Sequence, residues 1–410
     1  MAKERKVIII GAGASGLVAA IAAKRAGAYV ILLDKNSRVG KKILATGNGR
    51  CNITNRYMDI SKYHGKHPRF VYGAFSAFGQ EYTLEFFEKL GIYFREEEGG
   101  RMFPASFQAS SVLDVLRYEI ENLGVETVCD AEAVDIRHEG QFEIELRDGR
   151  KLKSDRVIIC TGGKAGPEFG SDGSGFLLSK KFGHSIIEPF PALVQLKLNA
   201  KFLKAIQGVK FDGNVELVVD KKVIKREDGE ILFTDYGISG PPVFQLSRKA
   251  GELIRDGKRV FIKVVLVDYI SEDGLRSVLL KRYEEGNKKP VSLSFVGLIN
   301  KRLIPVVLRE AGISDMNKPV ASLTTHEKDN ILHILKDWRF EVSGTNPWAS
   351  AQVTAGGVNT EEINPKTMES KIVPGLYFAG EVIDIDGDCG GYNLQWAWSS
   401  GLAAGYNSAL

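Results

Sequence analysis

Apolar positions along this chain fall in blocks, and the blocks change period. Residues 7–10 are an unbroken run of Val and Ile, the pattern of a strand covered on both faces inside a parallel sheet. Residues 17–26 have helix-forming composition and stop at Gly27, and residues 29–33 are a second apolar run that closes on Asp34. The order is strand, glycine turn, helix, strand, acid. Residues 157–160 repeat the buried-strand pattern and run into the small-residue turn Thr161-Gly162-Gly163. A late run, residues 375–379, ends on Gly380-Glu381; an acidic, glycine-rich loop follows, then a small-residue helix that stops near Gly405.

Between these blocks the period is two. Residues 130–155 alternate and turn at Asp148-Gly149, which predicts a small antiparallel unit. Residues 194–198, 215–219, 231–234 and 260–267 read as strands, the last alternating at Val260, Ile262, Val264 and Leu266, and a small β-barrel suits them. Residues 274–283 and 303–311 are helical in pattern, with Gly286 and Gly312 as stops, and residues 325–338 predict a further helix.

Composition narrows the class. Apolar residues at 44% and charged residues at 26% are a globular balance, and the length suits about two to three domains. Glycine is in excess, at 44 of 410 residues against a usual ~7%. Because glycine costs backbone entropy, the excess must serve turns, tight packing or backbone pressed against a ligand. The net charge of +4 is too small to announce a nucleic acid. No apolar run approaches the ~18 residues of a membrane span. Residues 1–6 are basic, but the apolar run behind them enters a glycine motif at once, unlike a signal peptide; a cytoplasmic location is expected. The four cysteines form no CxxC pair and the histidines show no ligand spacing, so neither a disulfide framework nor a metal site is expected.

The first glycine cluster is Gly11-Ala12-Gly13-Ala14-Ser15-Gly16. In its strand–helix context, Gly11 permits the tight turn, Gly13 lets backbone approach a pyrophosphate, and Gly16 lets helix pack on strand. The diphosphate would sit at the helix N-terminus, where free N–H groups and the dipole favour an anion. Asp34 can accept from a ribose, and its charge disfavours a ribose phosphate. The motif alone does not separate NAD from FAD; the later segments do. In two-dinucleotide-binding flavoproteins a strand ending in Thr-Gly and a late strand ending in Gly-Glu both return to the cofactor. A late helix, here opening at Gly390-Gly391-Tyr392-Asn393-Leu394-Gln395, can place its N-terminus near the flavin pyrimidine ring, whose N1 and O2 gain negative charge on reduction.

At this level of detail the whole chain resembles the BaiN/RdsA family of FAD-dependent oxidoreductases, also called YhiN-like flavoproteins. The resemblance rests on GAGASG at 11–16, KKILATGNGRCNITN at 41–55, GRMFP at 100–104, and TGG at 161–163 with GSDGSG at 170–175. It continues through LFTDYGISGPPVFQLS at 232–247, TAGGV at 354–358, FAGE at 378–381 and the CGGYNLQWAWSSG tail. It implies an α/β fold: a Rossmann-like FAD-binding domain of residues 1–192 and 344–410, interrupted by a β-barrel of 193–268 and 317–343 that carries a helical insert of 269–316. The cofactor-binding set expected from motif and resemblance together is Gly11, Ala12, Gly13, Ser15, Gly16, Asp34, Lys35, Lys42, Thr46, Gly47, Gly49, Arg50, Cys51, Asn52, Thr161, Gly162, Gly163, Gly380, Glu381, Gly391, Tyr392, Asn393 and Leu394. Tyr392, Asn393 and Gln395 are expected at the flavin ring and helix entry.

Flavin carries the redox step, and the protein must bind it, orient a substrate and move a proton. The loop at 46–52 is where cofactor contact and substrate entry are expected to meet, with Arg50 and two Asn as directional hydrogen-bonding groups. Cys51 and Cys389 lie in motif loops, and either thiol is a candidate general acid if its pKa is near neutral; Cys129 and Cys160 are expected in the core. One dinucleotide fingerprint leaves no second domain for NAD(P)H, which would dock transiently as hydride donor. Family members are associated with dihydrouridine formation in 23S ribosomal RNA and with steroid-enone reduction. A small-amine oxidase and a non-catalytic, redox-responsive RNA-binding flavoprotein are the alternatives. Residues 193–344 hold 26 Lys or Arg against 20 Asp or Glu, whereas residues 345–410 hold 2 against 7. Basic pairs in the insertion, such as Lys221-Lys222 and Lys225-Arg226, tilt the expectation toward ribosomal RNA as partner.

Overall fold

A computed structural model describes residues 4–286 and 288–410, so the first three residues of the basic start lie outside it. The chain divides into two compact units, one formed by the residues up to Pro191 with Trp348–Leu410, the other Ala192–Pro347.

The first unit is organised by a five-stranded parallel sheet. Its strands run Leu376–Phe378, Arg156–Ile159, β1 (Lys6–Ile10), β2 (Tyr29–Leu33) and Glu126–Val128 in spatial order. β1 is central: Ile8 is in register with both Val157 and Ile31. That position explains its unbroken apolar run, since Val7, Ile8, Ile9 and Ile10 are all buried and neither face of the strand is left for polar residues. α1 (Ala14–Arg25) joins β1 to β2, and the terminal helix, Tyr392–Ala409, lies against it. The contact depends on missing side chains: a Cβ on Gly401 would stand 2.4 Å from the Ser15 carbonyl oxygen, and one on Gly405 2.2 Å from that of Ala19. Residues 130–155 form the antiparallel sheet of Ala133–His138, Phe142–Leu146 and Lys151–Ser154.

The second unit is a closed six-stranded barrel in the order Leu196–Leu198, Gly237–Ser239, Lys222–Phe233, Lys210–Val219, Phe261–Val265 and Trp338–Thr345. Its core stacks Trp338 against Phe202 with centroids 5.4 Å apart. Two strands are longer than their apolar runs. The hairpin of Lys210–Val219 and Lys222–Phe233 turns on Asp220 and Lys221, both at positive φ (48° and 64°), a tight two-residue turn made without glycine or asparagine. Residues 222–229 are mostly exposed or half-buried, so no alternation marked them as strand. The amphipathic helix Pro241–Arg255 was not anticipated at all, although its two prolines suit a first helical turn. The helix from Thr325 ends at Lys336 because Trp338 opens a barrel strand. That strand pairs as far as Thr345, so the first unit resumes at Trp348 rather than at residue 344. Among the described residues no helix is long and apolar enough to cross a membrane.

Candidate cofactor and substrate site

The three glycines after β1 do different work. Gly11 has φ +100°, and a Cβ there would stand 2.5 Å from the Cys160 carbonyl oxygen; a Cβ on Gly16 would stand 1.8 Å from that of Gly11. Both are needed for the chain to close on itself. Around a Cβ on Gly13 nothing lies within 4 Å. Gly13 is the N-cap of α1 and caps it with no side chain, so the helix offers its free first-turn N–H groups beside open space. Asp34 is buried and already occupied: Oδ2 accepts from the Ala12 N–H at 2.8 Å, and Oδ1 from the Asn36 backbone N–H at 2.8 Å and side-chain amide at 2.9 Å. It braces the turn.

The ends of the neighbouring strands are tied to one another. Glu381 Oε1 accepts from the Thr354 N–H at 2.6 Å, and Oε2 pairs with Lys42 Nζ at 2.7 Å, which also donates to the Ala165 carbonyl at 2.9 Å. Thr354 Oγ1 accepts from Lys164 and Ala165 N–H, and a Cβ on Gly163 would meet it at 2.2 Å. A Cβ on Gly380 would stand 2.6 Å from Ser15 Oγ. Lys35 pairs with Asp172 of the second glycine cluster at 2.6 Å. Thus Lys35, Lys42 and Glu381, expected at a cofactor, have protein partners of their own. Thr161 and Gly162 lie half-buried beside them.

The loop at 46–52 is a run of left-handed backbone: φ is +56° at Gly47, +55° at Asn48, +81° at Gly49 and +59° at Cys51. Thr46 Oγ1 donates back to Ile43 at 2.6 Å. Arg50 is held within its own neighbourhood, paired with Glu97 at 3.1 Å and lying over the Phe103 ring at 4.5 Å. Asn52 is different. Its Oδ1 is buried with no hydrogen-bond partner, and a Cβ on Gly391 would stand 3.0 Å from it. An orphaned buried acceptor of this kind costs about 1–3 kcal/mol unless a donor reaches it.

Gly391, at φ +101°, opens the terminal helix. Asn393 clamps the acidic loop before it, accepting from the Gly387 N–H at 2.8 Å and donating to the Gly387 carbonyl at 2.7 Å. Tyr392 is buried with its hydroxyl on the Tyr57 carbonyl at 3.1 Å, and Leu394 is half-buried. Gln395 lies in the first turn of this helix but its side chain is fully buried, with Oε1 accepting from Thr54 and Nε2 donating to Thr83 at 2.7 Å and Ser399 at 2.8 Å. Its place between Leu394 and Trp396, four residues before Ser399 on the same helix, could have flagged a core network. Sequence reasoning also passed over His64, whose Nε2 stands 2.7 Å from Asp388 Oδ1.

The two candidate general acids, Cys51 and Cys389, differ in burial. Cys51 is fully buried, and burial pushes its thiol up to about 12, against a hydrogen bond with Thr46 that lowers it. Burial likewise pushes Cys160 to about 12. An efficient general acid has a pKa near the working pH, which Cys51 lacks. In folded protein at neutral and mildly alkaline pH, Cys51 and Cys160 are therefore expected to resist iodoacetamide, and to be alkylated only after denaturation. Peptide mass spectrometry checks this, and rapid labelling of native Cys51 would contradict it. Cys389 is half-exposed.

The family model described as HI0933-like protein Rossmann domain matches residues 5–407. The 3-dehydro-bile acid delta(4,6)-reductase of Clostridium scindens is 40% identical over 98% of this chain and 99% of its own. The ribosomal RNA dihydrouridine synthase of Escherichia coli is 31% identical over 97% of this chain and 96% of its own. A solved 3-ketosteroid delta1-dehydrogenase from Sterolibacterium denitrificans aligns over 99% of both chains with a TM-score of 0.49 at 11% identity. The chain belongs to the HI0933-like protein Rossmann domain family, the BaiN/RdsA group of FAD-dependent oxidoreductases.

Proposed function

We propose that this protein reduces a carbon–carbon double bond conjugated with a carbonyl, with NAD(P)H as hydride donor. When bound, FAD would supply the hydride-transfer chemistry. The observation that carries the reading is the juxtaposition of Asn52 Oδ1 with Gly391. An acceptor without a donor there adjoins helix N–H groups without intrahelical acceptors. Together they complement a flavin pyrimidine edge, which offers an N–H at N3 and acceptors at O2 and N1. Gly13 and the N-terminus of α1 would hold the diphosphate, and a free lone pair of Asp34 a ribose hydroxyl. Helix N–H groups at Tyr392, Asn393 and Leu394 favour the negative charge of the reduced ring.

The bond type comes from what the relatives' names have in common. A 3-dehydro delta(4,6) substrate has C=C bonds conjugated with a ketone, and uridine has one conjugated with its C4 carbonyl. Neither name describes amine oxidation or a non-catalytic role. Uridine in 23S ribosomal RNA is one candidate, supported by Lys221, Lys222, Lys288 and Lys289, which have no carboxylate partner among the described residues. Two other basic pairs in the barrel unit are compensated: Lys225 with Glu227 at 3.1 Å and Arg226 with Asp228 at 3.3 Å, and Arg248 and Lys249 with Glu252 at 3.1 Å. A steroid-type enone is the other candidate, favoured by the 40% identity.

Anaerobic mixing with NADH or NADPH is expected to bleach the flavin, and a conjugated enone or 23S RNA lacking dihydrouridine to restore its colour. Bleaching by neither nucleotide, or restoration by neither acceptor, would overturn the proposal. Unchanged dihydrouridine in 23S RNA from a deletion strain would remove the RNA substrate.

A further inference from the structure

A second concave site lies in the first unit, between residues 67–76 and residues 360–371, with a volume of about 440 Å³. Its geometry follows from one glycine. A Cβ on Gly73 would stand 2.0 Å from the Pro365 carbonyl oxygen, so the helix Val71–Phe78 and the 360–371 segment touch there and open beside the contact.

The charge of this cleft runs against its surroundings. Residues 345–410 contain 2 basic residues in all, and both, Lys366 and Lys371, line it. Arg69 and His67 line it from the 67–76 segment. The lining has one acid, Glu361, and that carboxylate is engaged by Lys66 and His67, each at 3.0 Å. Lys371 Nζ donates to the Glu361 backbone carbonyl at 2.8 Å. The side chains of Arg69 and Lys366 have no hydrogen-bonding or ionic partner among the described residues. Beside them the Tyr72 ring is 54% exposed. Unpaired cations in a cleft next to an uncovered aromatic face match a phosphate joined to a base: guanidinium and ammonium groups take the anion, and a ring stacks on the base.

We propose that this cleft binds a nucleoside phosphate, with Arg69 and Lys366 on the phosphate and Tyr72 against the base. The ligand is either a free nucleotide or a nucleotide within an RNA strand; the two share the chemistry that the cleft reads. The site is separate from the glycine turn and does not depend on the redox reading, because its test involves no turnover.

The experiment uses FAD-saturated protein, which keeps adenine nucleotides out of the cofactor site. ADP binding is followed by calorimetry, and a fluorescent oligouridylate by anisotropy. At least one probe is expected to bind saturably, and the double charge reversal Arg69→Glu with Lys366→Glu to weaken it at least tenfold without loss of bound flavin. Tyr72→Ala is expected to weaken nucleotide binding while sparing inorganic phosphate. Binding of ADP alone assigns the site to a free nucleotide, and binding of oligouridylate displaced by ADP assigns it to RNA. Absence of saturable binding by either probe, or equal binding by the double variant, overturns the proposal. Both reversals are at exposed positions, and flavin content with the circular dichroism spectrum reports whether the fold survives them.

Discussion

Gly13→Glu is expected to give a folded protein without flavin colour. Gly13 has no neighbour within 4 Å of a Cβ, so the larger side chain enters open space and breaks no packing. If that space receives the diphosphate, the new carboxylate stands against it. Two unit charges ~4 Å apart repel by about 4 kcal/mol at an effective dielectric near 20, roughly a thousandfold in affinity. The variant should purify with native circular dichroism and a flavin-to-protein ratio near zero. Retention of FAD at the wild-type ratio would show that Gly13 does not face the diphosphate. Gly16 offers the contrast: with a Cβ 1.8 Å from the Gly11 carbonyl oxygen, even Gly16→Ala should damage the fold itself, so loss of flavin there would say nothing about contact.

Gly405→Ala is expected to destabilise the first unit by about 2 kcal/mol, although helix propensity alone argues the reverse. Alanine gains ~1 kcal/mol over glycine in a helix interior. At Gly405 the added methyl would lie 2.2 Å from the Ala19 carbonyl oxygen and 2.8 Å from its Cα. Those are backbone atoms, so relief requires α1 and the terminal helix to move apart, and overpacking costs ~1–3 kcal/mol or more. Steric overlap therefore wins. Trp396 and Trp398 are buried on the terminal helix, and their fluorescence during urea unfolding reads the change. An unchanged or raised midpoint would show that the helices separate without cost.

The cofactor fold was legible because it depends on local chain geometry. An unbroken run at 7–10, glycines at 11, 13 and 16 and an acid at 34 can form few structures other than a buried strand turning into a helix. The barrel was only partly legible. Strand residues 222–229 are exposed or half-buried and their sequence carries no apolar–polar alternation, so their pairing with residues 210–219 identified them only in the folded unit.

At the site, the sequence by itself determined the glycine turns and strand ends that the fold brings together, since backbone freedom and motif order belong to the chain. Only the tertiary structure decided what each side chain has left to offer. Asp34 braces Ala12, Lys42 is paired with Glu381, Arg50 lies between Glu97 and Phe103, and Cys51 is buried with its proton held. Asn52 Oδ1, with the same prospects on paper, is left without a partner. Hydrogen-bond occupancy and desolvation depend on groups distant in the chain, from Glu381 beside Lys42 to Gly391 beside Asn52, and no local pattern records them.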